Sequence, residues 1–185
     1  MTKVLVPLAN GFEDIEAITI IDVLRRGRVE VVTASISDEL EVMSAHGVAM
    51  KADGLFKDVA EDEYDAVILP GGGEGTENLK RSVPVIERLR RQAEERRLIA
   101  AICAAPTVLE VAGVLDRETQ VTCYPSCQME LDRPWTSAPV VHDANIITGQ
   151  APGTALLFSL VLLQTLEGEN AARKVARAMV TDVLY

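Results

Sequence analysis

Several classes of protein are excluded by what the sequence lacks. The 185-residue chain has only three Phe, three Tyr and one Trp, which leaves few rings for stacking on bases or sugars. It also lacks an excess of cations, because 18 Lys and Arg residues stand against 28 Asp and Glu residues, for a net charge of −10. Nucleic acids and anionic membranes attract clustered cations, so we expect neither as a partner.

Long apolar segments and a disulfide framework are also missing. Residues 1–3 lead straight into an apolar strand pattern, with no basic-then-apolar secretory signal. The longest apolar stretch, 155–163, is interrupted by Ser159 and is too short to cross a bilayer. Three cysteines, an odd number in a chain of this size, fit a reducing compartment better than a disulfide scaffold. We therefore expect a cytoplasmic protein with no membrane partner.

The chain does contain short apolar runs that alternate with amphipathic segments. Four apolar runs are typical of buried strands: 4–8, 29–34, 66–69 and 98–102. Five longer segments are typical of helices: 13–26, 83–97, 107–112, 155–166 and 171–183. This alternation predicts one α/β domain over residues 1–185, a doubly wound sandwich with a mostly parallel central sheet.

The remaining segments give weaker signals. Residues 41–43 and 48–50 predict a small hairpin, and residues 140–142 and 146–148 predict two more strands. We expect a loose segment at 74–76, a short strand at 120–122 and irregular chain from 124 to 139.

The segment from Leu98 to Pro106 reads as a buried strand that enters a helix through one abrupt turn, with Cys103 in that turn. This position lies at the carboxyl edge of the sheet, where open α/β sheets bind their ligands. The free N–H groups of a helix start favour a thiolate over a thiol. A buried cysteine that serves only packing fits this stretch equally well.

Three other features are predicted at the same edge. Residues 70–73, Pro-Gly-Gly-Gly, follow a strand and let backbone N–H groups approach a ligand, although a plain strand-to-helix turn has the same signature. Glu16 lies one turn into the first helix, where a first-turn carboxylate is often exposed, and its apolar neighbours Ile15 and Ile18 are compatible with burial. Residues 149–153 precede another helix. No phosphate-binding motif is present.

Taken together, four motifs resemble the ThiJ/PfpI superfamily, and most of all its branch with the parkinsonism-associated oxidative-stress protein. They are Glu13-Asp-Ile-Glu16, Leu69-Pro-Gly-Gly72, Ala100-Ala-Ile-Cys-Ala-Ala-Pro106 and Ala151-Pro-Gly-Thr154. The resemblance implies a flavodoxin-like fold, a homodimer and chemistry without a cofactor or metal. It also implies that Cys103 is a nucleophile and that Glu16 contacts its sulfur, with Glu16 protonated and donating to a thiolate.

The resemblance further implies that Gly72 and Ala104 supply backbone N–H groups for an oxyanion, beside Gly71. Tyr124 stands where other members of the family carry a histidine, and a phenol is a poor base at neutral pH. The protease-like branch has a histidine directly after its cysteine, where this chain has Ala104. No Cys/His dyad for peptide hydrolysis is therefore expected.

These features favour a cysteine enzyme that acts on small reactive carbonyls, with a glyoxalase-like conversion of 2-oxoaldehydes to 2-hydroxy acids or a deglycase-like activity. The first alternative is a redox sensor or stress chaperone that works through oxidation of Cys103. The second is a hydrolase or amidase, which the missing histidine disfavours. Cys123 and Cys127 have a weak metal-site spacing and are expected to be packing thiols, unless Cys123 resolves an oxidised Cys103.

Overall fold

The computed structural model describes residues 1–182, and its centre is a seven-stranded sheet. In chain order the strands are β1 (Lys3–Leu8), β2 (Glu30–Ser35), β3 (Glu41–Met43), β4 (Ala49–Lys51), β5 (Gly54–Leu55), β6 (Ala66–Leu69), β7 (Leu98–Ile102), β8 (Val140–Asp143) and β9 (Ile146–Gly149). The sheet order is β5-β2-β1-β6-β7-β9-β8, in which only β8 runs antiparallel to its neighbour. Strands β3 and β4 form a separate antiparallel hairpin.

The helices cover both faces of the sheet. They are α1 (Asp14–Arg26), α2 (Phe56–Val59), α3 (Gly73–Arg81), α4 (Val83–Glu94), α5 (Pro106–Ala112), α6 (Ala155–Glu167) and α7 (Glu169–Ala178). Helices α1, α6 and α7 enclose one apolar core, and α2 to α5 enclose the other. The predicted doubly wound, flavodoxin-like architecture with a mostly parallel sheet is confirmed. Within residues 1–182, no helix is both long enough and apolar enough to cross a membrane.

Strands β1, β6 and β7 are short continuous apolar runs because both faces of the sheet are covered there. Their parallel register brings three carboxyl ends to one edge, where Leu8, Leu69 and Ile102 are each the last residue. The loops that follow these three strands therefore start side by side. This arrangement positions the candidate site.

Four local predictions were wrong. The segment 74–76, expected to be loose, lies in α3, and the helix predicted over 83–97 ends at Glu94 because Arg96 turns into a left-handed conformation, with φ 54°. The strand predicted at 120–122 is reduced, within the described chain, to a single bridge between Val121 and Trp135. The segment predicted to be irregular contains a 3-10 helix, Pro125–Glu130. The helix predicted over 171–183 is α7, and Val183 lies outside the described residues.

Candidate active site

The turn between β7 and α5 holds Cys103 in a left-handed backbone conformation, with φ 64°. This conformation costs a non-glycine residue about 1–2 kcal/mol, so the surroundings must enforce it. They do so through both backbone groups of Cys103. Its N–H donates to Gly149 O at 3.0 Å, and its carbonyl accepts from Tyr124 N at 2.8 Å. The result is a nearly buried thiol, 7% exposed, whose direction is fixed by the backbone.

Glu16 reaches the same point from α1. It is fully buried, and its Oε2 accepts a hydrogen bond from Gly71 N at 2.8 Å. Its carboxyl group also interacts with the Cys103 side chain. The sequence-based reason given for its burial was wrong, because the neighbours Ile15 and Ile18 are 56% and 50% exposed. Glu16 lies on the inward face of the helix, and these two apolar residues lie on the outward face.

The loop after β6 must be glycine at two positions. A Cβ on Gly71 would lie 2.7 Å from the Cys103 Cβ and 2.7 Å from Glu16 Oε2. Gly72 has φ 99°, and a Cβ there would meet Gly11 O at 2.2 Å. The glycines therefore allow the backbone to approach the thiol closely, as a functional site at this edge requires. The backbone N–H groups of Gly72 and Ala104 both interact with the Cys103 sulfur.

The thiol and the carboxyl group form one titrating pair. Burial raises the pKa of Glu16 from 4.5 to about 7. Burial, and then the charge of an ionised Glu16, raises the pKa of the Cys103 thiol, whereas the N–H groups of Gly72 and Ala104 lower it. Two adjacent anions are unfavourable in a buried site, so the pair retains one proton at neutral pH. Burial thus opposes the effect of the helix start on the Cys103 thiol.

Two features of the geometry oppose these pKa shifts and favour the carboxyl group as the holder of that proton. Glu16 Oε2 is occupied by Gly71, while Oε1 is buried without a hydrogen-bond partner of normal geometry in the described structure. A lone buried carboxylate oxygen is costly, whereas a protonated Oε1 can donate to the neighbouring sulfur. The two backbone N–H groups at the sulfur favour an anion there. The arrangement therefore suits a thiolate at Cys103 beside a neutral Glu16.

Comparison with known proteins identifies the family. The model of the DJ-1/PfpI family matches residues 2–165. The chain belongs to this family. Protein DJ-1 homolog B of Arabidopsis thaliana is 38% identical over 180 residues, which are 96% of this chain but only 41% of that protein. The chain thus spans less than half the length of this curated relative.

Two further relatives match over most of both chains. Glutathione-independent glyoxalase DJR-1.2 of Caenorhabditis elegans is 34% identical over 170 residues, which are 90% of this chain and 89% of that protein. The structure of oxidized Toxoplasma gondii DJ-1 has a TM-score of 0.94 and 36% identity, and the match covers 98% of this chain and 99% of that one. The predicted membership of the ThiJ/PfpI superfamily is confirmed.

Tyr124, predicted to line the site, is tied to it through the backbone. Its N–H donates to the Cys103 carbonyl, while its side chain is 44% exposed and its hydroxyl makes no hydrogen bond among the contacts of residues 1–182.

The other two cysteines lie on either side of Tyr124. Cys123 is fully buried, with its sulfur 3.3 Å from Tyr124 O, and Cys127 is partly exposed.

A group of possible metal ligands lies at the start of α1. Ligand atoms of Glu13, Asp14 and His46 lie within 4.8 Å of one another. Hydrogen bonds account for this grouping: Glu13 Oε2 caps the helix at Ile15 N, and Asp14 accepts from Ser44 Oγ and pairs with His46 Nδ1. Sequence analysis missed these roles, because Ser44 and His46 lie about thirty residues from α1 and only the fold brings them there.

Proposed function

We propose that this chain is a cofactor-independent cysteine enzyme that converts 2-oxoaldehydes to 2-hydroxy acids, with a related deglycase-like activity on early glycation adducts. The observation that carries the proposal is the contact of the Cys103 sulfur with a buried, protonatable Glu16 and with two backbone N–H donors. The name of the C. elegans relative, a glutathione-independent glyoxalase, supports the same chemistry.

In the first step the Cys103 thiolate attacks the aldehyde carbon, a C–S bond forms, and the carbonyl electron pair moves to oxygen. The N–H groups of Gly72 and Ala104 lie beside the sulfur and can bind this oxyanion. Glu16 gives its proton to the oxygen, so the hemithioacetal is neutral and the residue becomes a carboxylate. Proton transfer by a residue in contact with the reacting atoms needs no histidine.

The Glu16 carboxylate then removes the hydrogen from the former aldehyde carbon as a proton and returns it to the neighbouring carbon, while the hydroxyl proton passes from the first oxygen to the second. The first carbon is oxidised to a thioester and the second is reduced to an alcohol, so no external oxidant or reductant is needed. Water hydrolyses the thioester, which releases the 2-hydroxy acid and restores the thiol. The net reaction adds one water. A pKa near 7 lets Glu16 act as acid and then as base near neutral pH.

The direct test is lactate formation from methylglyoxal without glutathione, measured for the wild type and for Cys103→Ser. We expect turnover in the wild type and none above background in the variant. Absence of lactate from the wild type, with an intact fold by circular dichroism, would overturn the proposal.

A second candidate is redox sensing through oxidation of Cys103. It is favoured by the same N–H donors, which can stabilise an oxidised, anionic sulfur, and by the name of the oxidized Toxoplasma structure. Peroxide treatment followed by mass mapping tests it. This candidate predicts oxidation of Cys103 but makes no prediction of carbonyl turnover, so the two assays separate the candidates.

We further propose a cytoplasmic homodimer. Four exposed apolar side chains lie on the outer face of α1 and on the adjoining hairpin: Ile15, Ile18, Met43 and Val48. A second copy is the occupant we propose for this surface. Light scattering tests it: we expect about twice 20.0 kDa for the wild type and a monomer for Ile18→Glu. A wild type at monomer mass at micromolar concentration would overturn this assembly.

A further inference from the structure

The β3–β4 hairpin is bound along the loop that precedes α1. Gly11 N donates to Met43 O at 2.8 Å, and Ala45 N donates to Phe12 O at 2.8 Å. Met43 N donates to Asn10 Oδ1 at 2.9 Å. The hairpin therefore forms an outer layer against the loop 10–14.

The same loop holds the site from the other side. Glu13 N donates to Gly71 O at 2.9 Å, and Gly75 N donates to Gly11 O at 3.1 Å. The first bond fixes the glycine segment whose N–H groups face Glu16 and Cys103. Because Glu16 follows directly in the first turn of α1, both halves of the thiol–carboxyl pair depend on where this loop lies.

Ser44 is the central contact between the hairpin and α1. It is 5% exposed, and its Oγ donates to Asp14 Oδ1 at 2.5 Å. The same oxygen accepts from Val48 N at 2.9 Å and from His46 N at 3.2 Å. Its proton and its lone pairs are therefore all engaged, and its bond to the start of α1 is strong because the acceptor carries a charge.

This Ser, Asp and His grouping is not a hydrolytic triad. In a triad the serine hydroxyl donates to the imidazole, and the carboxylate lies behind the histidine. Here the hydroxyl of Ser44 donates to Asp14, and His46 binds the other oxygen of that carboxylate at 2.8 Å. The imidazole cannot remove the serine proton in this order. The role that remains for this grouping is to position the start of α1.

We infer that Ser44 is a positioning residue for Glu16. Through Asp14 it fixes the first turn of α1, and that turn sets the carboxyl group of Glu16 against the Cys103 sulfur. The inference rests on the proposed pairing of Glu16 with Cys103 and adds a residue that controls it. Misplacement of a catalytic group by about 1 Å is enough to slow a reaction, and the thiol responds to the same displacement.

The test measures the rate of Cys103 alkylation by iodoacetamide against pH, in a Cys123→Ser/Cys127→Ser background. Ser44→Ala should raise the midpoint of this profile by about one pH unit, because Glu16 is no longer held where it donates to the thiolate. Ser44→Thr, which keeps the hydroxyl, should restore the wild-type midpoint. Asp14→Ala breaks the same bond from the other side and should give the same shift, which also covers a failure of Ser44→Ala to fold.

Ser37→Ala is the matched control, since the Ser37 hydroxyl also makes local turn contacts, to Glu39, but does not touch α1. Turnover adds a second readout: Ser44→Ala should lower kcat about tenfold and leave KM within about twofold. A lowered melting temperature with an unchanged alkylation midpoint would show a merely structural role and overturn the inference. Because alkylation does not need turnover, failure of the glyoxalase proposal is distinguishable from failure of this one.

Discussion

Cys103 and Cys123 invite comparison because both thiols are nearly or fully buried, at 7% and 0% exposure, in segments joined by a hydrogen bond. They differ in what surrounds the sulfur. At Cys103 a left-handed backbone turns the side chain toward the N–H groups of Gly72 and Ala104 and toward Glu16. At Cys123 the sulfur lies 3.3 Å from the carbonyl oxygen of Tyr124, to which it donates.

The difference shows that burial alone does not make a thiol reactive. Burial raises the pKa of Cys123 to about 11, although Trp135 lowers it, and the carbonyl beside it favours the protonated form. Burial also raises the pKa of Cys103, but there two backbone N–H donors favour the anion and a carboxyl group can hold the displaced proton. The carboxyl group and the paired backbone donors therefore set the two cysteines apart, and each prediction below tests that difference.

The largest effect is expected from Cys103→Ser, which should reduce carbonyl turnover to the uncatalysed background because a serine hydroxyl is a far weaker acid than a thiol and stays protonated beside Glu16. Cys123→Ser removes the same atom from the other buried site and should leave kcat within about twofold. Lactate formation and circular dichroism of both variants are the measurement. An equal loss of turnover in Cys103→Ser and Cys123→Ser would mean that the two thiols do not differ in catalytic importance.

The second effect separates the two roles of Glu16. Glu16→Gln keeps a donor to sulfur but cannot move a proton, so turnover should fall by roughly a hundredfold to ten-thousandfold while the thiol stays partly acidic. Glu16→Leu removes the donor as well, so the pKa of the Cys103 thiol should rise above that of Glu16→Gln. Thiolate absorbance against pH is the measurement. A lower thiol pKa in Glu16→Leu than in the wild type would mean that Glu16 is ionised beside a protonated Cys103.

A third effect concerns stability. Burial raises the pKa of Glu16 from 4.5 to about 7. In Cys103→Ser no thiol gives up its own proton in exchange, so the folded variant keeps a proton that the unfolded chain releases. The resulting stabilisation is fully present below pH 4.5 and is lost as the pH rises through 7, by about 3 kcal/mol in total.

Cys103→Ser/Glu16→Gln has no such proton, so its free energy of unfolding should increase relative to Cys103→Ser over this range. Urea unfolding at pH 4.5, 6 and 8 measures the difference, with Cys103→Ser/Glu87→Gln, changed on the exposed face of α4, as the control. Parallel pH profiles for Cys103→Ser/Glu16→Gln and Cys103→Ser would contradict a raised carboxyl pKa.

The comparison of the two cysteines also shows what sequence reasoning can reach. The turn between β7 and α5 at Cys103 could be predicted because a buried strand, a turn and a proline at the helix start are consecutive in the chain. The site around it depended on β1, β6 and β7 running parallel, which the alternation of strands with helices predicts. Strand ends were therefore predicted to within a residue or so.

What sequence reasoning missed has tertiary causes. Helix α3 was missed because Gly73 and Gly75 lie in its first turn, and glycine disfavours helices locally. The fold requires glycine at position 75, since a Cβ there would meet Phe12 N at 2.8 Å. The contact of Ser44 with Asp14 has no local signal at all, and the opposing effect of burial on the thiol is visible only once the sheet is covered.

The smallest expected effect is the order of labelling of the three thiols by iodoacetamide at neutral pH. If exposure decided reactivity, Cys127 would react first, because it is the only partly exposed one of the three. If the N–H donors and Glu16 decide reactivity instead, Cys103 should be alkylated roughly tenfold or more faster than Cys123, despite similar burial. The rate for Cys127 should lie between these two. Peptide mass mapping at short times gives the order, and equal labelling of all three in urea is the control. Labelling of Cys127 ahead of Cys103 would show that the N–H donors at Cys103 do not outweigh the burial of its thiol.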